Sequence, residues 1–157
     1  YFPYLDNESS CVLRIETAHG AALLTGDIGQ VVERDLLRRD ATALRADVVL
    51  VAHHGSGDSS DPGFVAATGA EYALVSAGHG NRFGHPKPDV VARLRQAGAR
   101  VQGTPDGGAL RVRLEAGGVT VESRRQSHPR AWDAVQRQRR QACEGTGQAA
   151  LVSCRPD

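Results

Sequence analysis

Hydrophobic and polar positions change period several times along the chain. From Ser10 to Glu16 apolar and polar residues alternate, which predicts a strand. Ala21 to Thr25 predicts a second strand, after a turn at His19-Gly20, so the two read as a hairpin. From Gln30 to Leu44 the apolar positions Val31, Val32, Leu36, Leu37 and Leu44 are separated by charges, a helical period. Asp47 to Ala52 is a near-continuous apolar run, which suits a strand covered on both faces. The polar and small residues that follow, from His53, form a loop, and Pro62 opens a helix to Thr68. Tyr72 to Ser76 reads as a strand and Ala77 to Pro86 as a second Gly-rich loop. A helix from Pro86 to Ala97, a short strand from Arg100 to Gln102 and a turn at Asp106-Gly107-Gly108 come next. Leu110 to Leu114 and Val119 to Ser123 close the series as a hairpin around Gly117-Gly118. Helices and strands that alternate between two hairpins predict an α/β fold.

Beyond Arg124 the pattern weakens. Residues 1–123 read as one domain, and 124–157 as an Arg-rich tail, partly helical or disordered. Within it, Arg130 to Arg140 reads as a short amphipathic helix and 144–157 as loose. From Arg111 to Arg140 arginines outnumber the acids Glu115, Glu122 and Asp133. That stretch is either a solvated face or a hold on a phosphate backbone.

Composition narrows the classes. The chain has 157 residues, 40% hydrophobic and 24% charged, enough for one ordinary domain. Its 19 basic and 18 acidic residues leave a net charge of +1, which excludes a globally polybasic nucleic-acid binder. Aromatics are only 4%, so no aromatic base-stacking platform is expected. No apolar run approaches the roughly 20 residues that span a bilayer. The chain lacks a signal-peptide pattern and any Met, and it opens on Tyr1, which reads as a piece of something longer. Cys11 reads as a buried small residue. Cys143 and Cys154 either pair in an oxidising compartment or stay free, and without a C-x-x-C a thiolate zinc site is not expected.

Three clusters sit just after the expected strands: Thr25-Gly26-Asp27, His53-His54-Gly55-Ser56, and Asn81 with Gly84-His85-Pro86. In open α/β folds, functional groups gather at the carboxyl ends of strands. Asp and neutral His are the natural donors for zinc, manganese or iron. Such a set supports hydrolysis, by activating water and polarising a phosphoryl oxygen. Each residue also has a plainer reading. Asp27 is a good turn or helix-cap residue. His53 and His54 cannot both point the same way if the strand continues, so one is a ligand and its neighbour a hydrogen bonder, or both are surface groups. His85 before Pro86 is a ligand or fixes its loop. His19, His79 and His128 read as structural or exposed.

In this order the elements NESS, LLTGDI, ADVVLVAHHGSGDSS, ALVSAGHGNRFGHP and TPDGGALRV resemble the C-terminal metallo-β-lactamase-like domain of the ComEC family of competence proteins, which internalise DNA. The resemblance runs from about Asn7 to Leu114. HHGS and N-x-x-G-H-P carry more of it than TGD, which is common across such folds. It implies an αββα sandwich, of which this chain supplies the second half only. It implies two divalent metal ions, zinc or manganese, and no soluble cofactor. Asp27 matches the bridging aspartate, and His53 or His54 matches the histidine after the next strand. His85 resembles either a terminal ligand or a group that contacts and protonates a leaving group. The implied catalytic residues are Asp27, His54 and His85, and the implied metal ligands Asp27, His53, His54 and His85. Ser56, Ser59 and Asn81 either bind substrate phosphate or cap loops. Asp106 either orients a histidine or makes the Asp-Gly turn. The family's His-x-His-x-Asp-His cluster is absent, so this piece alone is expected to bind metal weakly and to lack hydrolase activity. The implied function is a DNA phosphodiesterase, with DNA, single-stranded or the degraded strand, and the membrane channel of the same polypeptide as partners. The implied location is the inner membrane, with this domain on a soluble, extracytoplasmic side. The alternatives are a hydrolase of a small phosphodiester or ester on the same fold, and a degenerate domain kept for DNA or protein contacts.

Overall fold

The computed structural model describes residues 6–130 together with residues 132, 133 and 137. Most of the expected Arg130–Arg140 helix lies outside these residues. The expected loose segment 144–157 and any Cys143–Cys154 pair lie outside them entirely.

Five strands form one sheet in sequential order: β1 (Leu13–Thr17), β2 (Gly20–Leu24), β3 (Val48–Leu50), β4 (Tyr72–Val75) and β5 (Arg100–Gly103). The first pair is antiparallel and the remaining pairings are parallel. Parallel neighbours need a crossover, and helices supply it. They are α1 (Gln30–Arg39), α2 (Pro62–Thr68) and α3 (Pro88–Gln96). A helical turn, α4 (Thr104–Gly107), leads into the hairpin β6 (Leu110–Glu115) and β7 (Gly118–Ser123), and α5 (Arg124–Ser127) follows.

Strand alternation divides the core into two layers. Ala21, Leu23, Val49, Val51, Ala73 and Val75 point to one face and pack under the three crossover helices. Val48, Tyr72 and Leu74 point to the other face and meet Leu110, Val112, Leu114, Val119 and Val121 of the hairpin. The intervening Arg111, Arg113 and Glu115 of β6 fall on its opposite face, and Arg113 pairs with Glu122 of β7 at 2.6 Å. The hairpin leaves part of the sheet bare. Leu13 pairs with Leu24 and Ile15 with Ala22, so these residues share the hairpin's side. Yet Leu13, Ile15 and Leu24 are 55%, 44% and 36% exposed. The α/β class is as expected from the sequence.

Several local expectations shift. The first helix ends at Arg39 and not at Leu44, because Asp40 Oδ1 accepts from the backbone of Thr42 and Ala43 and from Thr42 Oγ1. Those bonds start a separate 3-10 turn, Thr42–Leu44. The third helix begins at Pro88, since the Lys87 N–H is taken by Gly55 O at 2.8 Å. The Asp106-Gly107 turn is the end of α4. Cys11 is exposed, contrary to its reading as a buried residue.

Candidate functional site

The parallel register brings Leu24, Leu50 and Leu74 abreast, so the three loops that follow leave the sheet at one level. Buried Thr25 ties the ends of β2 and β3 together, its Oγ1 donating to Leu50 O at 2.6 Å. Gly26 then turns the chain with φ of 59°. Its carbonyl accepts from His53 N at 3.0 Å. Asp27 N donates to Ser10 Oγ at 3.2 Å, which leaves the half-exposed carboxylate to face the histidine loop.

The strand does not continue through His53 and His54. Both take left-handed backbone angles, φ 49° and 57°, and Gly55 follows at 82°. Non-glycine residues in this region cost roughly 1–3 kcal/mol each and concentrate at functional sites. The left-handed run separates the rings, which lie 6.5 Å apart at 63°. His54 Nδ1 lies 2.7 Å from Ser76 O, so it carries the proton and donates to that carbonyl. Nε2 is left facing Asp27, 3.5 Å from its Oδ1. His53 turns the other way, with Nε2 3.3 Å from Asn7 Nδ2.

The third loop adds His85. Its ring stacks on Phe83 at 5.7 Å and 13°, and stands 6.2 Å from His53. Burial lowers its pKa below the ordinary imidazole value, and the charges of Lys87, His53 and His54 push the same way. The ring is therefore neutral at neutral pH. Its Nδ1 is buried with no hydrogen-bond partner among the described residues. A buried nitrogen in that state is open to an ordered water or a bound ion.

The polar residues around the histidines hold the loops. Asn81 Oδ1 accepts from His85 N at 2.9 Å, while its Nδ2 donates to His85 O at 2.7 Å and Gly78 O at 3.1 Å. Ser59 is fully buried, and its hydroxyl donates to Ala52 O and Ser56 O. Ser56 Oγ accepts weakly from Asp58 N. These are the bonds of the loop-capping alternative. Asp106 sits on α4, and only its carbonyl has a described contact, with Arg125. His79 Nδ1 lies 3.0 Å from Pro105 O. Two partners of the site were not named from the sequence: Asn7, marked only as the start of NESS, stands beside His53, and the Ser76 carbonyl fixes His54.

Gly55 lets the second and third loops touch. A Cβ there would lie 2.6 Å from Pro86 Cβ and 3.0 Å from Pro86 Cα, next to His85. Gly55→Ala combines that overlap with a strained φ. The expected cost is about 2–4 kcal/mol, read by thermal or urea unfolding. Unchanged stability would mean the contact is not tight.

Fit to a metal ion is partial. Two donors of one tetrahedral zinc stand about 3.3 Å apart when each bond is near 2.05 Å. The 3.5 Å gap between Asp27 Oδ1 and His54 Nε2 suits such a pair. No group of three or more His, Cys, Asp or Glu among the described residues is placed to hold an ion. A catalytic zinc takes three protein ligands, so these residues supply an incomplete set.

No family model matches the chain, and neither does any solved structure. Curated proteins do. Over 117 residues, 74% of the chain, it is 38% identical to Competence protein ComA of Neisseria gonorrhoeae. Over 113 residues, 72% of the chain, it is 34% identical to ComE operon protein 3 of Bacillus subtilis. Over 107 residues, 68% of the chain, it is 32% identical to Recombination protein 2 of Haemophilus influenzae. The matched stretches span 17%, 14% and 13% of those proteins. The chain is thus related in sequence to a segment of the ComEC-type competence proteins.

Proposed function

We propose that this chain is part of a metal-dependent hydrolase domain that cuts DNA phosphodiester bonds during DNA uptake. The observation that carries the reading is the Asp27–His54 pair: a carboxylate and an oriented imidazole, 3.5 Å apart, at the carboxyl ends of two parallel strands. The names of the relatives, for competence and recombination, support DNA as the substrate. On this reading the fold is the second half of an αββα sandwich, and the other sheet packs on the bare face carrying Leu13, Ile15 and Leu24. The missing donors come from a part of the parent polypeptide outside this chain, in keeping with how much longer the relatives are.

Divalent ions, zinc or manganese, would supply Lewis-acid charge stabilisation when bound. Asp27 and His54 contribute donors to their shell. The Ser76 carbonyl holds His54 in the required tautomer. Neutral His85, fixed by Asn81 and stacked on Phe83, is positioned to exchange a proton with a leaving oxygen. No helix of the described residues is long and apolar enough to cross a membrane. The proposed setting is an inner-membrane channel protein with this segment on its extracytoplasmic side.

A second reading, a non-catalytic domain kept for DNA or protein contacts, is favoured by the missing third donor. One experiment separates them. The full parent protein is purified in detergent, its metal content measured, and single-stranded DNA added with manganese or zinc. Cleavage that EDTA removes is the expected result. Metal near zero together with no cleavage would leave only the second reading.

A further inference from the structure

The sequence's few aromatics argued against a stacking platform, yet two of them are exposed beneath arginines. Phe83 is 58% exposed, with the Arg82 guanidinium 4.8 Å from its ring centre. Trp132 is 67% exposed, with Arg130 5.4 Å away. Trp132 borders a cleft of about 240 Å³ that also takes in Arg124, Arg125, His128 and Asp133. The single carboxylate among the described residues that line it is already engaged. Asp133 stands 3.6 Å from Arg125 Nε and accepts from Arg130 N. Arg125 in turn donates to Pro105 O and Asp106 O, which marks it as a brace. Arg124 donates to the His128 carbonyl, and among the described residues neither the Arg124 nor the Arg130 guanidinium pairs with a carboxylate.

The cleft adjoins the candidate site. Pro105 O is shared by Arg125 from the cleft and His79 from the third loop, which also carries Phe83 and His85. A charged groove with an exposed aromatic ring is what single strands use: phosphates meet arginines, and a base stacks on the ring without sequence preference. Duplex DNA hides its base faces and gains nothing from an exposed indole.

We infer that the cleft of Arg124, Arg130 and Trp132 is an anchoring site for single-stranded DNA beside the candidate hydrolytic site. The inference deepens the proposed function and rests on it only for the choice of DNA. It needs no metal ion.

Trp132 is the only tryptophan, so its emission reports stacking directly. The 157-residue chain is titrated with a labelled oligothymidylate in EDTA, following Trp132 emission and oligonucleotide anisotropy together. Quenching that tracks binding is expected. Trp132→Ala should weaken binding roughly 5- to 150-fold by anisotropy, the range for one lost stack. Joint Arg124→Ala and Arg130→Ala should weaken it and lower the logarithmic salt slope by about 1.4, two phosphates' worth for a single strand. Arg38→Ala, on α1 and outside both the cleft and the candidate site, should bind as the unaltered chain does, which separates the cleft from general positive charge. Binding without quenching, equal affinity for duplex, or indifference to all three cleft substitutions would overturn the inference. Failure of cleavage in the parent protein would leave it standing.

Discussion

Replacing Asp27 with Ala is expected to lower DNA cleavage by the parent protein more than about 100-fold, the upper scale for groups that merely orient a metal ligand. Its melting temperature should stay unchanged. The carboxylate is 39% exposed, and its described contact is the one to His54. Surface changes of that kind usually stay within about 0.5 kcal/mol. The tie that shapes this turn runs from Asp27 N to Ser10 Oγ, and the substitution spares it. Asp27→Asn keeps the shape and removes the charge, so it should lose most of the activity as well. The check is cleavage rate and bound metal measured together on both variants. Full activity in Asp27→Ala would remove the hydrolytic role from this pair, whatever the parent protein cleaves.

The largest stability effect is expected at Glu33. This helix residue is fully buried, and its two oxygens accept from Ser60 N at 2.8 Å and Asp61 N at 2.6 Å. Arg93 holds the other side of the same loop, donating to Ser60 O at 2.6 Å. Ser60 is thereby kept at a left-handed φ of 61°, and Asp61 is placed to cap α2 through Gly63 N and Phe64 N. Glu33→Ala leaves two buried N–H groups unpaired at about 1–3 kcal/mol each. A loss near 4 kcal/mol should lower the melting temperature by roughly 10 °C in a chain of this size. Glu33→Gln retains one acceptor and should lose about half as much.

Acid titration adds a second test of Glu33. Burial raises its carboxyl pKa above the usual 4.5, outweighing the two backbone donors that favour the ion. A raised folded-state value means the native chain holds the proton longer than the unfolded chain does. Stability from this group is therefore full below about pH 4.5 and declines as pH rises through the folded value. Unfolding free energies of the unaltered chain and Glu33→Gln, compared across that window, should converge with rising pH. Parallel curves would show that Glu33 does not titrate differently in the fold.

Glu33 also shows where sequence reading stops. The helix pattern counts Val31 among its apolar positions and Glu33 only among the charges between them, yet Val31 is 63% exposed and Glu33 fully buried. The partners of Glu33 are backbone groups 27 and 28 residues away, which no periodicity records. By contrast α2 was legible to the residue, because Asp61 and Pro62 state its start in local chemistry and Gly69 its stop. The strands were legible because alternation and apolar runs need only nearest neighbours. The three chemical clusters were legible as positions after strands. The left-handed backbone at His53 and His54 was not, since such angles in non-glycine residues depend on what surrounds them. Hence the separate orientations of the two rings, and the pinning of His54 on Ser76, came only from the structure.

The level alignment of Leu24, Leu50 and Leu74 has an evolutionary consequence. Strand register sets the level at which the loops carrying Asp27, His54 and His85 leave the sheet, and the bonds between those loops are built on that level. Inserting one residue into β2, β3 or β4 would displace a site group by about 3.3 Å and turn the following side chains to the opposite face. Lineages carrying this segment should therefore tolerate length changes in the crossover helices and in the β6–β7 turn, while the spans leading into TGD, HHG and the Asn81–His85 loop keep constant length.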